Sequence, residues 1–480
     1  MYNLIKILFF LKMEENEFKE VGLNPESIGS KDNNNKRKKI LIISGICLCA
    51  LAIITAIILI IILNNKEEEE EKDTKPKPRS LLDIEKLKKY KTPYYYYNTS
   101  LLNETIDEVL KLAKKHDMKI HFSLKSNFNE KIVKIFASHP EIGADCVSGG
   151  EVNYALNYFK PEDIVFAGIG KTDEEIENAV DKGIFCLNVE SFEELENLNE
   201  ICKKKKKKMN FATRINPNIV AHTHEKIITG LNENKFGIYL DEMEDIFYDK
   251  IKEVYFNKDN KYEYLNFIGL HFHIGSQILN FTDYHPLCTK IDKIIEKLNN
   301  LSIAITYLNL GGGLGVDYDE PAVNPIPDFE GFFNTYLTHI KSLQKISEDF
   351  NQNKTIKLHF ELGRSMIAQS GYVISKVIYI KEGIEKKFAI LDAGMNDLIR
   401  PAMYDALHQI ERVELNDEQQ MYDVVGPICE SSDVFAKNYT MDKLQKGDYV
   451  LIRSAGAYGE SMASRYNFRD LIKGYLDFEF

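Results

Sequence analysis

From residue 100 onward the chain alternates between two hydrophobic rhythms. Stretches with apolar residues three and four apart are separated by short apolar or β-branched runs. Segment 101–115 places Leu102, Ile106, Val109, Leu110 and Ala113 on one face, the spacing of an amphipathic helix. Segment 191–202 opens with Ser191 and Glu194 in the relation of a capping box. Between such helices lie eight strand candidates, at 120–124, 144–147, 164–167, 185–189, 211–215, 267–274, 303–310 and 356–361. Eight βα units in succession predict an α/β fold built on a closed (β/α)8 TIM-type barrel. Periodicity alone leaves an open doubly wound sheet as the alternative. After residue 371 the strands at 372–381, 388–392, 422–425 and 449–453 follow without long helices, which predicts a C-terminal, mainly β domain. A strand at 94–97, after Pro93, is placed to join that domain from the N-terminal side.

The part before residue 80 has a different pattern. Residues 40–63 are apolar apart from Ser44, Gly45, Cys47, Cys49 and Thr55, and as a helix they would reach about 36 Å, enough to cross a bilayer. Lys36-Arg37-Lys38-Lys39 precedes this run and Glu67 to Glu71 follows it. The positive-inside rule then predicts a single-pass membrane protein with a cytosolic N-terminus and the catalytic part on the opposite side; without this extension the expected location is cytoplasmic. Residues 64–80 read as a charged, proline-containing linker. The expected organisation is a basic tail (1–39), a transmembrane helix (40–63), a linker (64–80), an N-terminal strand (81–99), the barrel (100–370) and the β domain (371–480). Asn-x-Ser/Thr sequons at Asn98, Asn103, Asn280, Asn300, Asn353 and Asn438 are compatible with a lumenal domain but decide little in an Asn-rich chain.

Composition narrows the function. With 44% hydrophobic and 28% charged residues in 480 the bulk is globular, and a net charge of −12 disfavours a general nucleic-acid binder. The run Lys203 to Lys208 reads as a solvated loop. Cysteines at 47, 49, 146, 186, 202, 288 and 429 have neither a metal-ligand nor a disulfide spacing, so no metal is expected. His271 and His273 would share one face of a strand but lack a third ligand nearby in sequence.

The unusual polar residues fall at the C-terminal ends of the predicted strands, where barrel enzymes carry their chemistry. Lys125 follows the first strand, His273 and Ser276 the sixth, Gly311-Gly312-Gly313 the seventh, and Glu361-Leu362-Gly363-Arg364 the eighth. Each has an ordinary structural reading: a solvated lysine, a core histidine, a turn, an ion pair. One physical need accounts for all of them. A phosphate-bearing aromatic cofactor requires close backbone N–H groups, a cation, a flat ring to stack on and a carboxylate for a ring nitrogen; if the cofactor carries an aldehyde it also requires a lysine. Farther on, Cys429-Glu430 sits in a Gly-Pro turn with small polar neighbours, an unusual setting for a structural thiol.

These residues, with Gly230-Leu231-Asn232-Glu233-Asn234-Lys235-Phe236-Gly237, Asp392-Ala393-Gly394-Met395-Asn396-Asp397 and Gly456-Ala457-Tyr458-Gly459, make the chain resemble the fold-type III pyridoxal-phosphate decarboxylases from about residue 92 to 469. The resemblance is closest to the branch that acts on meso-2,6-diaminoheptanedioate. It implies a lyase that uses pyridoxal 5'-phosphate to release CO2 and form L-lysine, the last step of lysine biosynthesis. It further implies that Lys125 binds the cofactor covalently, that His273 stacks on its ring with Ser276 nearby, and that Glu361 keeps the ring nitrogen protonated. Gly311, Gly312, Gly313, Leu362, Gly363, Arg364 and Tyr458 would hold the cofactor. Arg364, Arg400, Tyr404, Glu430 and Tyr458 would bind the amino-acid substrate, and Cys429 would return the proton. In this family the Cys-Glu segment enters from a second subunit, so a homodimer with shared sites is implied. Leu362 stands where the family usually has proline, and 470–480 departs from its usual closing strand. The competing readings are an ornithine- or arginine-type decarboxylase and a catalytically silent, membrane-tethered homologue.

Overall fold

The computed structural model describes residues 84–219, 234–340 and 356–480. Strand β1 (Tyr94–Tyr97) precedes the barrel. The barrel strands are β2 (Met118–Ser123), β3 (Ile142–Cys146), β4 (Ile164–Phe166), β5 (Cys186–Val189), β6 (Met209–Asn216), β8 (Leu265–His271), β9 (Tyr307–Asn309) and β10 (Lys357–Leu362), with β7 (Ile238–Tyr239) a short addition beside β6. All pair in parallel in this order, and β10 pairs with β2 to close the ring. Closure excludes the open doubly wound alternative. Parallel strands covered on both faces are buried along their whole length and mostly apolar; β3, β4 and β5 are buried at every position, with Asp145 and Asn188 the polar residues among them.

Helices α1 (Thr99–Lys115), α2 (Glu130–Ala137), α3 (Gly149–Ala155), α4 (Asp173–Lys182), α5 (Phe192–Lys205), α6 (Leu240–Phe256), α7 (His285–Asn300) and α8 (Phe329–His339) connect the barrel strands. Most of their starts follow capping chemistry, α6 and α7 being the exceptions. Asn98 caps α1 through its side-chain oxygen, and Thr172 with Glu175 forms a reciprocal box on α4. At α5 only half of the expected box forms. Ser191 accepts from the Glu194 N–H, but Glu194 accepts from the Glu190 N–H and pairs with Lys171. The lysine run also differs from expectation: Lys203, Lys204 and Lys205 are the last turn of α5, not a loop. Cations are favoured at a helix C-terminus, and Glu177 and Asp181 of α4 pair with Lys204 and Lys205.

The β domain contains β11 (Gly371–Glu382), β12 (Lys387–Leu391), β13 (Ile410–Arg412), β14 (Gln419–Val425), β15 (Val434–Asp442), β16 (Tyr449–Ile452) and β17 (Gly474–Leu476). Its order is β13-β16-β11-β12-β14-β15, and β1 joins it antiparallel to β11 and parallel to β17. The divergent ending therefore still supplies an edge strand. The four tyrosines of β1 alternate, as a strand requires. Tyr95 and Tyr97 enter the main core, and Tyr94 and Tyr96 pack in a smaller cluster with Tyr372 and Ile374. The loop after β16 lies against the barrel mouth: the Tyr458 N–H donates to the Ser126 carbonyl at 2.8 Å and Asn127 donates to the Gly456 carbonyl at 2.8 Å.

The membrane assignment requires correction. Among the described residues no helix is long and apolar enough to cross a membrane, and the run at 40–63 lies outside them. The single-pass placement rested on the apolar length of 40–63 and its charged flanks, and no described element supplies such a span.

Candidate active site

At the end of β2 the chain turns through Leu124–Ser126, which brings the Lys125 ammonium 3.1 Å from the Asp145 carboxylate on neighbouring β3. Asp145 is fully buried. Burial opposes charge on the Lys125 amine, but the facing carboxylates of Asp145 and Glu361 reverse this and hold its pKa above the ordinary lysine value.

Glu361 is the penultimate residue of β10, with its carboxylate buried in the barrel mouth. One oxygen accepts from Asn309 at 2.6 Å and from Asn188 at 3.2 Å, and the other faces His271 Nε2 at 3.1 Å. Burial works against ionisation, yet the His271 ring and the Lys125 charge hold the Glu361 carboxyl well below the usual carboxylate range. A fixed negative charge thus sits at the floor of the cleft.

His273 follows β8. Its Nδ1 accepts from the Gly312 N–H at 3.2 Å, which leaves the ring proton on Nε2. Burial and the Arg214 cation push this ring's pKa well down, so it stays neutral. The glycine run after β9 makes the approach feasible. Gly311 and Gly313 adopt φ of +64° and +105°, and a Cβ on Gly313 would come 2.7 Å from the Gly275 carbonyl.

Arg364 opens a short helix directly after β10 and is buried. Its Nε and Nη2 donate to Ser276 Oγ at 3.2 and 3.0 Å, its Nη1 donates to the Tyr318 hydroxyl at 2.8 Å, and its guanidinium lies 5.0 Å from the Tyr458 ring centre. Lys125, His273, Ser276, Gly313, Glu361, Gly363, Arg364 and Tyr458 line one cleft. The other expected residues lie around or outside it. Gly311 and Gly312 support His273 from behind, while Leu362 points into the core and does not line the cleft. Arg400 is buried, with Nη1 2.8 Å from His408 Nε2 and its guanidinium 4.7 Å from the Tyr318 ring centre. Tyr404 ends the same short helix, Arg400–Tyr404, half-buried.

Cys429 and Glu430 are exposed and do not line this chain's cleft. Their segment is nonetheless held in shape. The Cys429 N–H donates to Asn467 at 2.8 Å, Tyr466 donates to the Glu430 carboxylate, and Asp433 accepts from the Ile428 and Met395 N–H groups.

Sequence reading missed Asp145, Asn188, Tyr318 and His408, and read His271 only as half of a metal pair. Asp145 and Asn188 did leave a signal, as polar residues inside apolar strand runs. Their partners are 20 and 173 residues away in the chain, which no local pattern reveals.

The model of the pyridoxal-dependent decarboxylases, pyridoxal binding domain, matches residues 101–368. A diaminopimelate decarboxylase of Bacteroides thetaiotaomicron is 46% identical over 403 residues, covering 84% of this chain and 99% of that one. Its Aquifex aeolicus counterpart is 38% identical over 380 residues, 79% of this chain and 84% of that one. Among solved structures, the Helicobacter pylori diaminopimelate decarboxylase complexed with L-lysine superposes with a TM-score of 0.73 at 37% identity, covering 82% of this chain and 94% of that one.

Proposed function

The chain belongs to the pyridoxal-dependent decarboxylases, in their diaminopimelate decarboxylase branch, and from that membership we propose how its residues divide the work. The reaction is decarboxylation of meso-2,6-diaminoheptanedioate to L-lysine and CO2, with pyridoxal 5'-phosphate as cofactor. The observation that carries this reading is the gathering of Lys125, Glu361, His273 and Arg364 around one cleft.

The residues present fit the cofactor. A lysine amine, a carboxylate, a neutral ring and a buried cation face the same space, and the buried Ser365 hydroxyl that lines it has no partner among the described residues. Lys125 would hold the aldehyde carbon, Glu361 the ring nitrogen, His273 the ring face, and Ser276, Gly313, Gly363, Arg364 and Tyr458 the remainder with its phosphate. When bound, pyridoxal phosphate supplies an electron sink for the pair left behind by CO2.

Glu361 acts by keeping a proton on the ring nitrogen, an interaction that strengthens as negative charge develops and so lowers the barrier more than it aids binding. Asn188, Asn309 and His271 hold its carboxylate in place for this. Asp145, 3.1 Å from the Lys125 nitrogen, would orient it towards the cofactor and holds its proton whenever the amine is free. Arg400 and Tyr404 receive the distal carboxylate of the substrate, and Glu430 its distal ammonium, through charge-assisted hydrogen bonds. Cys429 donates the proton that completes L-lysine.

Cys429 and Glu430 do this work in a second copy's cleft, which makes the protein a homodimer with shared sites. Their exposure beside a preshaped turn supports that arrangement. An ornithine- or arginine-type substrate would present a bare cation to the buried Arg400, an unfavourable approach. A silent homologue would have no use for the intact set of chemical groups.

The test is CO2 release by the purified protein supplied with pyridoxal phosphate. Meso-diaminopimelate should yield CO2 and L-lysine while ornithine yields neither; a cofactor-loaded protein inert towards meso-diaminopimelate would overturn the reading.

A further inference from the structure

Two buried guanidiniums, those of Arg364 and Arg400, share one phenol. Arg364 Nη1 donates to the Tyr318 hydroxyl at 2.8 Å, and the Arg400 guanidinium lies 4.7 Å from the centre of the Tyr318 ring. Like charges buried together repel, so the groups that contact them must fix their separation. The phenol group serves both cations: its oxygen accepts from Arg364 and also faces the Arg400 guanidinium, which lies close to the ring.

The phenol is itself fixed. Gln369 donates to the Asp317 carbonyl at 2.8 Å and Gln409 donates to the Asp319 carbonyl, so the backbone on either side of Tyr318 is pinned. The His408 ring meets the Tyr318 ring edge-on, with centres 5.2 Å apart. His408 Nδ1 lies 2.8 Å from the Arg453 carbonyl, to which only an N–H can bond, so Nε2 is left to accept from Arg400. Burial and the Arg400 charge push His408 down to about 3, which keeps that acceptor available.

We propose that Tyr318 is a specificity-determining positioning residue, which holds Arg364 and Arg400 apart as two separate anion receptors so that Arg400 is presented to the distal carboxylate of the substrate. His408 backs Arg400 from the other side. This rests on the reading of Arg400 as the carboxylate receptor. Arg364 keeps its two bonds to Ser276 when the phenol oxygen is removed, so the loss falls chiefly on Arg400, which drifts from the position the distal carboxylate requires.

The experiment compares Tyr318→Phe, His408→Gln and Arg400→Gln in the cofactor-loaded enzyme, reading KM, kcat and cofactor absorbance with meso-diaminopimelate. Tyr318→Phe keeps the ring and should raise KM by about tenfold or more, the effect of one hydrogen bond to a charged group, with kcat changed far less and cofactor absorbance retained. His408→Gln, which does not touch Arg364, should shift KM in the same direction and guards against a misfolded tyrosine variant. An unchanged KM in both variants overturns the inference, and so does loss of cofactor in Tyr318→Phe, which would place the phenol in cofactor retention. If Arg400→Gln leaves KM unaltered, the reading of Arg400 fails instead. A raised KM in Arg400→Gln with none in the other two sinks the Tyr318 role alone.

Discussion

The Lys125 ammonium lies 3.1 Å from the carboxylate of Asp145, a residue fully buried on the adjacent strand. That carboxylate is the main reason the amine's pKa stands above its ordinary value, against the opposing effect of burial. Asp145→Asn removes the charge and keeps the shape, so the amine should titrate at lower pH. Cofactor capture requires the neutral amine. The cofactor-free variant should therefore take up pyridoxal phosphate faster than wild type near neutrality, with the pH dependence of the uptake rate displaced to lower pH. Stopped-flow absorbance measures this, and superimposable pH profiles would remove Asp145 from the role.

Glu361 leads to a second prediction. Glu361→Gln keeps the hydrogen-bond positions towards Asn188, Asn309 and His271 but loses the charge. Turnover at saturating substrate should fall by about 100-fold or more, equivalent to roughly 3 kcal/mol of transition-state stabilisation, while cofactor content changes little. Activity within threefold of wild type at equal cofactor content would refute it. The depressed pKa also has a stability consequence. A carboxyl lowered in the folded state contributes stability that is complete above its unfolded value, about 4.3, and is lost as pH falls below it towards the folded value. The stability difference between wild type and Glu361→Gln should thus shrink with acidification below about pH 4.3, as read by denaturant melts at stepped pH.

The barrel was legible in the chain because each parallel strand, covered on both faces, is predominantly apolar and is bounded by an amphipathic helix. Lys125, His273 and Glu361 were legible because a charged or ring residue at the end of such a run has no place in the core. Asp145 and Asn188 obey the same rule, but their roles depend on which strands become neighbours. Asn188 reaches Glu361 only because β5 and β10 face each other across a closed ring. Tyr318 and His408 lie in loops without periodicity, and their significance comes from Arg364 and Arg400 alone. Strand β17 was missed because three residues, Gly474–Leu476, are too few for alternation to register. The lysines of α5 were misread because the partners of Lys204 and Lys205 lie on another helix, α4.

Shared active sites can be tested by complementation. Lys125→Ala and Cys429→Ala should each be nearly inactive alone, because each removes one required group from every site. Mixing them under conditions that exchange subunits gives heterodimers in which one site carries both substitutions and the other carries neither. About one quarter of wild-type activity should then return from an equal, statistical mixture. No recovery, in a mixture shown by mass spectrometry to contain heterodimers, would mean that Cys429 does not serve a partner's cleft.

The last prediction concerns a backbone approach. Gly312 packs so closely on the Glu361 main chain that a Cβ at this position would fall on the Glu361 carbonyl oxygen, well inside van der Waals contact. The neighbouring Glu361 N–H donates to the Gly311 carbonyl at 2.7 Å, so neither segment can yield without breaking that bond. The Gly312 N–H also supports His273. Gly312→Ala must therefore displace either the end of β10, and with it the Glu361 carboxylate, or the loop that carries the His273 contact. Overpacking of this kind costs about 1–3 kcal/mol, and both displacements fall on groups that line the cleft. The variant should melt at lower temperature and bind pyridoxal phosphate about tenfold more weakly, at 1.4 kcal/mol per tenfold. Thermal denaturation and cofactor titration together check it; wild-type values in both would show that the loop moves without dragging either group.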